Sequence, residues 1–204
     1  MPKFPDPPGV LTTLASKTTL PSGTRLWRVY PAAGPRPVAW KDFRFFGPTN
    51  SRFDHHDPLA TAQAKGILYA ARDPTTCLAE FFQATRIIDR FSGAPWLVAF
   101  ETTRSTPLLD LTGTWPTRAG ASMAINSGPR PRARRWSRAI YAAYPAIEGL
   151  LYGSSMHANH PSIALYERAQ SALPAAPAFH RALSDPALLP RLNAAADGLG
   201  YGMV

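Results

Sequence analysis

The chain contains a single cysteine, Cys77, which excludes an intrachain disulfide and any zinc site built from cysteine pairs. No apolar run approaches the ~18 residues of a membrane span, and neither end carries a basic-plus-apolar signal segment. A cytoplasmic protein is the resulting expectation. No GxGxxG follows a strand, so a Rossmann-type dinucleotide site is absent, and no GxSxG elbow supports a serine hydrolase. His55-His56-Asp57 and the pair His157 and His160 invite a metal reading. Neither comes with an HExxH helix, adjacent histidines on an extended segment point opposite ways, and no metal is expected.

Charge is sparse and lopsided. Only 17% of residues are charged, and 22 lysines and arginines against 13 acids give a net charge of +9. Arg130, Arg132, Arg134, Arg135 and Arg138 crowd into nine residues. Three readings stay open: a solvated basic face, a dock for an acidic partner, or a phosphate site. A basic nucleic-acid-binding module is one alternative for the whole chain, although no RNA-recognition, zinc-finger or basic-zipper signature accompanies the cluster.

A hydrophobic content of 45% over 204 residues is enough for one well-filled core, while 22 prolines and 14 glycines imply many turns. The expected organisation is an irregular lead-in over 1–25 and a single domain over 26–204. Strands are predicted at Leu26–Tyr30, Ile67–Ala71, Pro95–Thr102, Pro107–Leu111, Ile147–Tyr152 and Ser162–Tyr166, with a helix over 133–144. A long loop covers 31–65, helices extend to about Ala196, and a last strand at 199–203 closes the sheet. This mixture predicts an α+β protein with a mixed sheet and flanking helices.

The segment Leu68–Glu80 is the most informative. An apolar run ends in Arg72-Asp73-Pro74, an N-cap candidate with proline at the first helical position, and a helix is predicted from Pro74 to about Ile88. On a 3.6-residue period Leu78, Phe82 and Thr85 share a face and Glu80 points away from it. No basic residue stands three or four positions from Glu80. Such a carboxylate faces either solvent or a cleft, and spacing alone favours solvent.

Five elements then stand in a familiar order: Leu26-Trp27-Arg28-Val29; Ser51-Arg52-Phe53; Gly66-Ile67-Leu68-Tyr69-Ala70-Ala71 with Leu78-Ala79-Glu80; Gly149-Leu150-Leu151-Tyr152-Gly153-Ser154; and Ile163-Ala164-Leu165-Tyr166-Glu167. Over about residues 26–169 the chain resembles RES-domain proteins, a family named for an arginine, a glutamate and a serine. Ile125-Asn126-Ser127-Gly128-Pro129-Arg130 is similar to the family as well. The chain departs from it at Arg52-Phe53-Asp54, where relatives show Arg-Trp-Asn, and at Gly153, where they carry a bulkier residue.

The resemblance implies an ADP-ribosyltransferase-like α+β fold and a toxin that destroys NAD at the nicotinamide–ribose bond, by phosphorolysis or hydrolysis. It also implies a small helical antitoxin as partner. NAD is then a substrate, no cofactor is expected, and inorganic phosphate is a possible co-substrate. By the same resemblance Glu80 stabilises an oxocarbenium-like ribose, and Tyr69 stacks on or orients the nicotinamide. Arg28 and Arg52 grip the pyrophosphate, and Ser154 donates near the ribose or the amide. Transfer of ADP-ribose to a macromolecule is the alternative within the fold.

Overall fold

The computed structural model describes residues 2–204. Its strands are β1 (Lys17–Leu20), β2 (Arg25–Pro31), β3 (Arg44–Gly47), β4 (Thr61–Ala71), β5 (Ile87–Ile88), β6 (Pro95–Glu101), β7 (Thr106–Asp110), β8 (Gly149–Gly153), β9 (Pro161–Tyr166), β10 (Phe179–Ala182) and β11 (Gly202–Met203). The helices are α1 (Pro74–Phe81), α2 (Trp115–Arg118), α3 (Arg130–Ala143) and α4 (Leu189–Leu199). Nine strands form one sheet in the order β1–β7–β8–β9–β4–β2–β6–β10, with β3 added to β4. Within it β7 and β8 run parallel and the other pairs antiparallel. The protein is α+β, a mixed sheet with flanking helices.

Strand β4 shows why the run Ile67–Ala71 looks continuously apolar. Successive side chains point to opposite faces, and both faces are covered. Ile67 and Tyr69 pack with Trp115, Trp136 and Ile140 from α2 and α3, whereas Leu68 and Ala70 pack with Leu26, Phe100 and Ile163 on the far face. A third cluster joins Val29 and Leu97 of the sheet to Leu78 of α1 and Leu192 of α4. Gly66 starts the buried stretch for a steric reason: a Cβ there would lie 2.8 Å from the Phe45 ring.

The seam between β2 and β4 positions the site. These two strands are neighbours, yet they pair only at Trp27 and Ala71. Beyond that point they part, and a cavity of about 1200 Å³ opens between them, lined from β2 by Arg28 and Tyr30 and from β4 by Ile67 and Tyr69. Helix α1 follows β4 directly and contributes Cys77, Glu80 and Phe81 to the same wall.

Several elements differ from expectation. Helix α1 stops at Phe81, not Ile88, because Arg86 takes a positive φ of 52° and Ile87–Ile88 pair in parallel with Gly202–Met203. Thr85, Ile87 and Ile88 are β-branched and weak helix formers, so strand pairing with the C-terminal segment wins there. The tail therefore makes a separate two-stranded sheet instead of closing the main one. The loop expected over 31–65 contains β3, and the first half of β4 pairs with it. Phe179–Ala182, expected within a helical region, is a strand on β6.

The lead-in is docked. Phe4 is buried, Trp136 Nε1 donates to Pro5 O at 2.8 Å, and β1 pairs with β7 at the sheet edge. Asp6 accepts from Arg135 Nε at 2.6 Å and Arg132 Nε stands 3.6 Å away. Two arginines of the 130–138 cluster are thus spent on the protein's own N-terminal segment, and Arg130 turns into the cavity. The cluster does not form one basic face.

His55 and His56 form a buried histidine pair whose chemistry predicts acid sensitivity. His56 Nδ1 is 2.5 Å from Asp54 Oδ1, and the His55 ring stacks on Tyr141 with centroids 4.3 Å apart. Both His55 nitrogens are buried without hydrogen-bond partners, Nε2 lying 3.9 Å from Glu167 Oε2. Burial pushes His55 below its ordinary value of 6.5. Burial acts to raise Glu167, but His55, the Tyr141 hydroxyl and the Gly66 amide outweigh it and hold the carboxyl at about 2. Each group binds its proton more weakly in the folded chain than in the unfolded one. Stability is therefore full above 6.5, falls first through His55 and then, below the ordinary 4.5 of Glu167, through the carboxylate. Denaturant titrations at stepped pH should show this decline, at most about 1.4 kcal/mol per pH unit per proton. His55→Phe should remove the upper part of it; stability that rises on acidification would contradict this account.

Candidate active site

Glu80 occupies the penultimate position of α1, a helix capped by Asp73, whose side chain accepts from Thr76 N at 2.8 Å. Capping sets the start of the helix, and seven residues later Glu80 reaches the cavity. Its Oε1 accepts a hydrogen bond from Ser154 Oγ at 2.5 Å. Burial raises the Glu80 pKa, while Ser154, Arg52 and Arg130 act to lower it. A half-buried carboxylate with arginines on one side and a hydroxyl behind it is fixed in place, and its charge is directed into the cleft.

Ser154 holds its own place through the turn between β8 and β9. Its Oγ accepts from Met156 N at 3.2 Å and from His157 N at 3.1 Å, while its backbone N donates to His160 O at 2.9 Å. The residue is fully buried and does not line the cavity. The family resemblance implied that Ser154 donates near the ribose or the amide; in the structure its buried hydroxyl donates to Glu80 instead. Gly153 fits that turn, since a Cβ there would stand 3.2 Å from Asn159 Cβ.

The arginines differ in freedom. Arg52 Nη1 donates to Gly128 O at 2.5 Å, which anchors one arm of the guanidinium and leaves the rest facing the cavity. Burial and the neighbouring Arg130 charge lower its pKa, and Glu80 opposes them. Arg28 Nη1 donates to Trp40 O at 2.8 Å and to Asp42 O at 3.0 Å, so it pins the 31–43 loop as well as lining the cavity. Burial brings Arg28 down to about 10, which leaves it charged at neutral pH. The loop carrying Arg52 is itself tied by Asp54, buried, which accepts from Thr49 N at 2.6 Å and pairs with Arg44 at 2.9 Å. That is what the chain does with the aspartate that departs from the family's asparagine.

Tyr69 and Glu80 line one cavity, although spacing alone favoured solvent for Glu80. The Tyr69 hydroxyl is buried with no hydrogen-bond partner among the described residues, and burial raises its pKa strongly. Such a group is available to a ligand.

Four further residues were not among the sequence-derived candidates. Arg130 Nη2 donates to Gln83 Oε1 at 2.5 Å, and Gln83 Nε2 donates to Glu80 O at 2.7 Å, so a short chain of hydrogen bonds runs from the third arginine to the helix end. Asn126 donates to Leu111 O at 3.0 Å and keeps a buried, unpaired Oδ1 beside the cavity. Buried Tyr152 packs on Phe53 with ring centroids 4.7 Å apart. Asn126 and Arg130 lie in Ile125–Arg130 and Tyr152 in Gly149–Ser154, both segments of the family likeness, while Gln83 carried no signal. In all, six cationic side chains (Arg28, Arg36, Lys41, Arg44, Arg52, Arg130) and two carboxylates, Asp42 and Glu80, line the cavity.

A mixed sheet opened between two central strands, with one oriented carboxylate among arginines, defines an α+β protein with a cleft lined mostly by cationic side chains. The RES-domain family model matches residues 25–186, and the chain belongs to that family. No curated protein matches the sequence. Among solved structures, a chain of the crystal structure of the M. tuberculosis MbcT-MbcA toxin-antitoxin complex is similar, with a TM-score of 0.56 and 18% identity over 86% of this chain and 92% of that one. At that identity the likeness is one of fold. No helix among the described residues is long and apolar enough to cross a membrane.

Proposed function

We propose that this protein cleaves NAD at the bond between nicotinamide and ribose. The supporting observation is the oriented Glu80 carboxylate beside Arg52 and Arg130 in a cleft of about 1200 Å³, larger than the roughly 300–1,000 Å³ typical of drug-sized ligands. NAD presents the complementary groups: a dianionic pyrophosphate for the arginines and a ribose that turns cationic as the bond breaks.

In the proposed reaction nicotinamide leaves with the bonding electron pair and becomes neutral. Positive charge spreads over the ribose C1″ and ring oxygen, and Glu80 stabilises it. A nucleophile then bonds to C1″ and loses its proton. Water gives ADP-ribose; inorganic phosphate gives its 1″-phosphate. Tyr69 and the aromatic wall of Phe43, Phe45 and Phe46 suit the nicotinamide and adenine rings, and Arg28 suits the pyrophosphate. NAD is a substrate here, and no other cofactor enters the reaction.

The fold likeness to a chain of a toxin-antitoxin complex supports a toxin role, with a protein antitoxin as partner. Mass identification of the products of NAD, with and without phosphate, tests the reaction and separates its variants. Nicotinamide with ADP-ribose means hydrolysis, and nicotinamide with the sugar phosphate means phosphorolysis. A labelled macromolecule means ADP-ribose transfer, and intact NAD overturns the proposal.

A further inference from the structure

The turn that seats Ser154 carries a second constellation. His157 and His160 stack with ring centroids 3.9 Å apart, and Ala158 and Asn159 between them take positive φ values of 43° and 61°. Non-glycine residues rarely adopt that conformation, and two in succession fold the turn back so that both imidazoles meet α1. There they meet Asp73: His160 Nδ1 is 3.5 Å from Asp73 Oδ2. One ligand atom from each of Asp73, His157 and His160 lies within 4.8 Å of the other two.

We propose that Asp73, His157 and His160 bind one borderline divalent transition-metal ion of the Zn²⁺ class. Two imidazoles and one carboxylate are the donor set such ions prefer, and a hard ion such as Mg²⁺ does not favour it. The hydrogen bonds around the group suit the role. Thr76 Oγ1 has one proton for two neighbours, Asp73 Oδ2 at 2.5 Å and His157 Nδ1 at 2.8 Å. Both contacts hold the Asp73 carboxylate and the His157 ring against one another, so that two of the three side chains are already oriented. Asp73 Oδ1 can keep capping Thr76 N at 2.8 Å while Oδ2 binds the ion. The half-exposed position, with His160 49% and Asp73 33% accessible, leaves room for water as a fourth ligand.

The ion is a staple, not a reactant. Asp73 and Glu80 are seven residues apart, about 10 Å along a helix. The ion ties the β8–β9 turn, whose His160 carbonyl accepts from Ser154 N at 2.9 Å, to the start of the helix that carries Glu80. Both ends of the Ser154–Glu80 hydrogen bond are then held by one cross-link.

Calorimetric titration of the metal-free full chain with Zn²⁺ should show one site per chain. The melting temperature should rise by roughly 5–10 °C at a hundredfold excess over Kd, and Mg²⁺ should have no effect. Co²⁺ should give visible ligand-field absorption that His160→Gln weakens or abolishes. His157→Gln and His160→Gln should each weaken Zn²⁺ binding at least about tenfold. Asp73→Asn, which keeps a good helix cap, should do the same, so loss of binding is separable from loss of fold by the metal-free melting temperature. No stoichiometric binding, an equal response to Mg²⁺, or full binding by the His157→Gln/His160→Gln double variant would overturn the proposal.

Discussion

Replacing Glu80 by glutamine is expected to lower the rate of NAD cleavage by about 10²–10³ with little change in the melting temperature. The amide keeps the size of the side chain and can still accept from Ser154 Oγ, which holds the carboxylate at 2.5 Å. What disappears is the negative charge opposite the developing ribose cation, and losing one preorganised electrostatic partner costs about 3–4 kcal/mol of transition-state stabilisation. The loss should appear in kcat more than in KM, because the charge on the sugar exists only near the transition state. Burial raises the Glu80 pKa above its ordinary value of 4.5, so the acid limb of the wild-type rate profile should lie above that value and vanish in the variant. Steady-state kinetics across pH check both points. Undiminished turnover in Glu80→Gln would remove Glu80 from the reaction.

Arg52→Ala should reduce kcat/KM about a hundredfold. Arg52 has one arm on Gly128 O at 2.5 Å and its charge on Glu80 and the cavity, so truncation removes both an anion contact and the anchor of its own loop. The structural part is modest, about 1 kcal/mol for one hydrogen bond. The functional part is larger, since a half-buried guanidinium is a forked donor that a phosphate group accepts in two places. Arg52→Lys keeps the charge without the fork and should recover only part of the activity. Kinetics of the two variants beside their melting temperatures distinguish the parts; full activity in Arg52→Ala would show that the pyrophosphate or phosphate sits elsewhere.

How much of this was legible in the chain depends on the range over which each feature is decided. The second half of β4, Ile67–Ala71, and the start of α1 were legible because the apolar run, Asp73 and Pro74 act locally, whereas the first half of β4 depends on pairing with β3. The end of α1 was not, because Ile87 and Ile88 answer to a strand more than a hundred residues away. Helical periodicity put Glu80 off the apolar face but could not say whether solvent or a cleft lay there; the parting of β2 and β4 after a single paired position decides it. Arg130 stood both in a crowd of arginines and at the end of the family-like segment Ile125–Arg130, and the fold separates it from Arg132 and Arg135 by aiming it at Gln83. The family likeness singled out Ser154 as a donor near the ribose or the amide; that its buried hydroxyl donates to Glu80 depends on the β8–β9 turn meeting α1, which no local signal gives. The histidines at 157 and 160 lacked a third ligand in the sequence because Asp73 stands more than eighty residues before them.

The central claim is that NAD lies in the cleft between β2 and β4 with its reacting ribose at Glu80. A crystal structure of the Glu80→Gln variant with NAD tests it most directly, since slow turnover leaves the substrate intact. The expected result is the nicotinamide ribose within hydrogen-bond reach of residue 80, its ring beside Tyr69, and the pyrophosphate on the arginines that line the cavity. NAD bound outside this cleft, or with its ribose away from residue 80, would contradict the account.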